Sequence, residues 1–277
     1  MLKDITLGQY FPGESIVHKL DPRTKLILTV VYIVALFSAK FVASYALMMA
    51  VLVTCILLSG VGFKALFRGM KPVIIIITLT AILNLFYNTN GTLLVHFWKL
   101  SIYTGGIQMA VMMVLRILML ISGTFLLTYT TSPIQLTDGI ESLLGPLKKL
   151  HLPVHELAML MSIALRFIPT LIEETDKIMA AQKARGADFE SGNLVQKAKA
   201  LVPLLVPLFV SAFRRADELA TAMECRCYRG GKGRTKLHKL QFHPRDFVMA
   251  AVFALFLACI VLGNRYFPIW IPFGFSV

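Results

Sequence analysis

A chain of 277 residues that is 57% hydrophobic and only 16% charged, with a mean hydropathy of +0.72, does not cover a soluble surface and is read as a membrane protein. Its 28 Lys and Arg against 15 Asp and Glu give a formal charge of +13, which suits either nucleic acid or the positive-inside rule, so the placement of the charges decides. Four cysteines at 55, 225, 227 and 259 lack the spacing of a secreted disulfide framework and exclude that class.

In chain order, residues 1–25 hold no apolar stretch of the signal-peptide kind. The first apolar run is therefore expected to be an uncleaved anchor and the mature chain to begin at Met1. Residues 26–61 are too long for one crossing of about 30 Å, and the Ser38-Ala39-Lys40 break divides them into two short spans with a tight outer hairpin. A third span is predicted over 72–87, with Pro72 in its tolerated first turn and Asn88-Thr89-Asn90-Gly91 as its stop. Residues 107–130 give the fourth and 247–263 the fifth, the latter followed by Tyr266, Phe267 and Trp270 as interfacial aromatics. The expected fold class is all-α and polytopic, with about five transmembrane helices. Four segments are expected: 1–25 in the cytoplasm, 26–130 as a four-helix membrane region, 131–246 as a helical cytoplasmic or membrane-surface domain, and 247–277 as the last span with an outer tail. Of the 28 basic residues, 24 fall in 1–25, 62–71 and 131–246, as do all 15 acidic ones, which supports this orientation and removes nucleic acid as a partner.

Residues 131–246 are too long for a plain connection. Ser132-Pro133 and Leu152-Pro153 read as helix starts. Segments 152–172 and 198–213 are apolar enough to look like spans, but Glu156 and Arg166 interrupt the first, and Pro203 and Pro207 in the second are expected to kink or break it. Helices at the membrane surface are favoured; a hairpin of spans would leave the remaining topology unchanged. Shifted by 41 residues, the segment matches itself: Asp176 falls on Asp217, Ile178 on Leu219, Ala181 on Ala222 and Arg185 on Arg226. Each copy ends in an arginine between small residues, Ala184-Arg185-Gly186 and Cys225-Arg226-Cys227. Small neighbours let a helix end approach a second surface, where a guanidinium offers a fork of donors to carboxylates or helix-end carbonyls. The plainer alternative is a helix end whose last-turn Arg complements the dipole; its occurrence twice at matching positions favours docking.

With these features the sequence resembles the transmembrane T component of energy-coupling-factor (ECF) transporters, ABC-type importers of vitamins and related micronutrients. The resemblance covers nearly the whole chain, including GQYFPGESIVHKLDPRTKL at residues 8–26 and both X-Arg-X motifs. It implies a multi-pass subunit of the bacterial plasma membrane, not an enzyme and without a cofactor or metal of its own. Its partners would be two ABC ATPase subunits, which bind the ATP, and a membrane-embedded substrate-binding S component. Arg185 and Arg226 would then dock on the ATPases, with Ala184, Gly186, Cys225 and Cys227 as their small neighbours; Cys on both sides of the second motif departs from the family's usual Ala or Gly. An apolar face is then expected for the S component, and Pro203, Leu204, Leu205, Pro207 and Leu208 have that character. The alternative is that the leucines pack into the chain's own core.

Other chemistry is weaker. Cys225 and Cys227 with His238 and His243 have zinc-ligand composition but poor spacing, and residues 230–235 lack the order of a phosphate-binding loop. Arg116 lies within a span and is expected to face the interior, with Asn84 its nearest candidate partner. His96, Trp98, Lys99 and Tyr103 read as an interfacial segment, and the many methionines as adaptable packing. A self-sufficient secondary transporter would show ionisable groups and broken helices at mid-membrane. A membrane-embedded enzyme would show a catalytic cluster, for which His151, His155 and Glu156 are the nearest approach and lack a nucleophile.

Overall fold

The structure, a computed structural model, describes residues 10–39, 41–88, 91–97, 100–150, 153–189, 193–230 and 240–266. Among these, two compact units separate: 10–139 with 240–266, and 140–230. The expected Lys40, Asn90, Trp98, Lys99, His151, His238, Phe267 and Trp270 lie outside the described residues.

The first unit is a helical bundle. Helix α1 (Pro22–Ser38) starts where the Asp21 carboxylate accepts the Arg23 N–H and Pro22 takes a first-turn position that needs no donor. It ends at the expected Ser38-Ala39-Lys40 break, and α2 (Val42–Ser59) runs to Gly60, whose positive φ of 71° closes the helix. The third span begins earlier than its apolar run suggests. Helix α3 (Phe63–Met70) passes through one 3₁₀ turn at Lys71–Val73 into α4 (Ile74–Tyr87), so Pro72 lies inside a continuous 25-residue rod. The connection that follows holds a two-stranded antiparallel hairpin, β1 (Leu93–Phe97) and β2 (Leu100–Tyr103), pairing Leu93 with Tyr103 and Phe97 with Leu100. Helix α5 (Thr104–Thr130) is the central strut, packing on α1, α2, α3 and α4, while α9 (Pro244–Tyr266) closes the bundle against α1 and α2. Its approach to α1 depends on a missing side chain: a Cβ at Gly123 would stand 2.6 Å from the Tyr32 ring, and Tyr32 Oη donates to the Met119 carbonyl at 3.2 Å. Leu36, Met48, Met119 and Ile260 form the dry centre. Outward-facing Val30, Phe37, Ile75 and Leu255 leave the bundle apolar on the outside as well, as lipid contact requires.

One end of this bundle is locked by buried ionic groups. The Asp246 carboxylate accepts the backbone N–H of Asp21 at 2.9 Å and of His243 at 2.8 Å, and Lys25 Nζ donates to the carbonyls of Thr130 at 2.8 Å and His18 at 3.1 Å. Arg23 donates to the Leu240 carbonyl at 2.9 Å and lies over the Phe242 ring. The LDPRTKL motif thus joins the starts of α1 and α9 to the end of α5.

Arg116 is paired differently from expectation. Its Nε donates to Tyr45 Oη at 2.8 Å and a terminal nitrogen to the Ala39 carbonyl at 3.5 Å, with the Phe37 and Tyr45 rings beside it. Asn84 instead donates to Thr80 of its own helix at 2.9 Å. The guanidinium therefore caps the end of α1, where Ala39 offers a carbonyl with no helical donor.

Helix α6 (Pro133–Leu143) carries the chain to the second unit, which is dominated by α7 (Val154–Ala184) and α8 (Leu194–Cys225) packed on one another. Helix α8 opens with a capping box between Asn193 and Gln196. Of the kink or break expected at Pro203 and Pro207, a break does not occur: α8 runs unbroken through both, as α7 does through Pro169. Among the described residues, five helices are long and apolar enough to cross a membrane: Val42–Ser59, Phe63–Tyr87, Thr104–Thr130, Val154–Ala184 and Pro244–Gly263. The set includes α7, whose apolar part was expected at the surface. It omits α1, whose 17 residues rise only about 26 Å.

Candidate functional site

The hairpin of α7 and α8 is antiparallel. Met159 meets Tyr228, Glu174 meets Arg215 at 3.0 Å, and Gln182 Nε2 donates to the Pro203 carbonyl at 3.4 Å, so the residue numbers of each pair sum to a nearly constant value. Each helix thus ends beside the other's beginning, and the two arginine motifs lie at opposite ends of the rod. Arg226 sits level with Ile163 of α7, and Arg185 lies 22 residues further along the same chain, a separation of roughly 30–35 Å at 1.5 Å per residue. Both arginines are exposed, and among the described residues neither has an ion-pair partner.

The internal repeat extends to the backbone. Arg185 and Arg226 cap their helices with φ, ψ of −87°, 5° and −91°, 14°. The next residue is left-handed in both, Gly186 at φ 87° and Cys227 at φ 57°. The same two bonds then close each end: Gly186 N–H to Lys183 and Ala187 N–H to Gln182 in one, Cys227 N–H to Glu224 and Tyr228 N–H to Met223 in the other. This is the Schellman arrangement. It projects each Arg from the helix tip, with small residues around it that let another surface come close.

Cys227 is the one non-glycine residue with positive φ among the described residues, a conformation that costs an L-residue about 1–2 kcal/mol. Cys227→Val, β-branched and worse there, should speed amide exchange at Tyr228 about tenfold, whereas Cys227→Gly should leave it as slow or slower. Hydrogen exchange of the purified protein checks both.

The expected S-component residues divide. Leu204, 5% exposed, is turned into the hairpin as the core alternative holds, while Leu205 is 46% exposed. Leu208 is half-buried, and Pro203 and Pro207 face outward. Leu205 belongs to a stripe with Val202, Val206, Phe209 and Phe213 that the hairpin leaves uncovered.

Cys225 and Cys227 are exposed free thiols, and among the described residues no three His, Cys, Asp or Glu side chains gather as a metal site. His155 Nδ1 lies 3.0 Å from Glu141, a pairing within the second unit. Arg166, read from the sequence only as an interruption of an apolar segment, and Arg229, not singled out there, share a cleft with Arg226. Only the pairing of α7 with α8 brings Arg166 there.

A family model described as cobalt transport protein (CbiQ) matches residues 13–237. The chain is 56% identical over 266 residues to the energy-coupling factor transporter transmembrane protein EcfT of Clostridium kluyveri, covering 96% of this chain and 98% of that protein. It is 55% identical over 245 residues to the EcfT of Thermosediminibacter oceani, covering 88% and 92%, and 51% identical over 246 residues to that of Bacillus subtilis, covering 89% and 93%. Nothing in these likenesses favours a self-sufficient transporter or a membrane enzyme. With its apolar helices and this likeness across almost its whole length, the chain belongs to the energy-coupling factor transporter transmembrane proteins, the T components of multisubunit ECF transporters.

Proposed function

We propose that the chain couples two ABC ATPase subunits to a substrate-binding S component, with Arg185 and Arg226 each docking on one ATPase and the uncovered face of α8 meeting the S component. The chain itself is non-catalytic, and ATP is bound by the ATPases. The observation that carries this reading is the placement of two identically built, exposed arginine tips at opposite ends of one rod. A rod about 30 Å or more between tips engages two separate bodies, and their approach or separation acts on whatever rests along its length. Concentration of the acidic and most basic residues in 1–25 and 131–246 supports a cytoplasmic N-terminus and a cytoplasmic or membrane-surface coupling segment. Arg166, Glu173, Asp176 and Lys177 along α7 favour its lying at the surface.

The test is Leu205→Asp. Since Leu205 is 46% exposed in the chain itself, a carboxylate there leaves folding nearly unchanged but costs about 2–4 kcal/mol when an apolar partner covers it. The variant is expected to insert, to retain both ATPases in mild detergent, and to lose the S component more than tenfold. Loss of expression, or equal loss of both kinds of partner, would remove Leu205 from that interface.

A further inference from the structure

The two ends of the α7–α8 hairpin share a backbone but not a charge. Residues 180–198 carry Lys183, Arg185 and Lys197 against Asp188 and Glu190, a formal +1. Their repeat partners at 221–239 carry Arg226, Arg229, Lys232, Arg234, Lys236 and Lys239 against Glu224 alone, a formal +5. The sign reverses at one matched position: Asp188 stands three residues after Arg185, where Arg229 stands three after Arg226.

The fold concentrates the difference. Arg226 and Arg229 line an open cleft with Arg166, which α7 supplies from the facing helix, and among the described residues no carboxylate lines it. Tyr228 fixes the cleft's floor, its Oη donating to Met159 Sδ at 3.3 Å and so holding the turn after α8 against α7. All three guanidinium groups are exposed. Three arginines lining one cleft give it a positive potential, so an acidic surface brought against them gains new ion pairs. Planar guanidinium forks favour carboxylates in particular.

We infer that the hairpin selects its two ATPases by charge: Arg166, Arg226 and Arg229 take a subunit whose docking groove is rich in carboxylates, and the Arg185 end takes the less acidic one. Asp188 disfavours the acidic groove at its own end, so the two subunits are held in one order about the rod. This rests on the reading that both tips dock on ATPases and adds to it which partner goes where.

The test is Arg166→Glu/Arg229→Glu, which leaves Arg226 in place, purified as the full complex in mild detergent with each ATPase quantified by mass spectrometry. Wild type should retain two different ATPases. The variant should lose the more acidic one at least tenfold while keeping the other, and rising salt should strip the same subunit first from the wild type. Asp188→Arg should recruit the acidic subunit to both ends when it is in excess; together with the salt series it decides the matter should the double variant fail to insert. A wild type that brings down no ATPase overturns the docking reading itself. Charge ordering alone is overturned if the wild type holds two copies of one ATPase, or if the double variant loses neither subunit or both equally. It is also overturned if the variant keeps both ATPases and loses bound phosphatidylglycerol, since the cleft then serves a lipid headgroup.

Discussion

Replacing Arg185 and Arg226 together by alanine is expected to abolish uptake of the transported vitamin or micronutrient while the chain still folds and inserts. Both side chains are exposed, so their removal opens no cavity, and the bonds that close the helix ends come from backbone groups that alanine retains. On the docking proposed above, what is lost is each arginine's contact with its ATPase. An arginine anchoring a protein interface through charge-assisted bonds contributes about 2 kcal/mol or more. Each single change should therefore weaken docking of its own ATPase about thirtyfold, and the pair should weaken the docking of both to that extent. Lysine should restore little, because an ammonium is a point donor and cannot reproduce the planar fork. Uptake by cells carrying only the variant chain measures the effect.

Asp246→Ala should produce the largest loss of stability. Asp246 is 2% exposed, and its two oxygens accept the N–H groups of Asp21 and His243. Alanine leaves the buried Asp21 N–H without its acceptor, removes the bond from the more exposed His243 N–H, and takes a counter-charge from the neighbourhood of buried Lys25. The expected cost is about 3–5 kcal/mol, or roughly 10 °C in the detergent-solubilised midpoint. Asp246→Asn keeps an acceptor but loses the charge and should fall between. A midpoint unchanged in Asp246→Ala would mean that this lock does not hold the bundle end together.

Much of the membrane bundle was legible because long apolar runs leave few alternatives: the break before Lys40, the ends of α2 and α4, and α5 follow from run length and turn residues. The early start of the third span was not, because α3 is amphipathic and its Lys64 and Arg68 read as loop charge. Pro203 and Pro207 misled for another reason. A proline removes one helical donor and strains the preceding turn, yet α8 continues through both, its neighbouring turns intact. The repeat could be read because an offset of 41 residues aligns identities, and the common helix-end geometry follows those identities. Contacts between distant segments had no such signal. Asp21 and Asp246 are 225 positions apart, and Arg166 shares a cleft with Arg226 only because α7 and α8 pack antiparallel. The pairing of Arg116 with Tyr45 was obscured similarly, since proximity of spans, not residue type alone, selects a partner.

The most direct measurement is the partner content of the complex purified in mild detergent with the Arg185→Ala/Arg226→Ala chain as bait. Coupling through the two tips requires that wild type bring down both ATPases and the S component, and that the double variant bring down the S component alone. Full retention of both ATPases by the double variant would contradict the account and leave the two arginines as helix ends with no docking role.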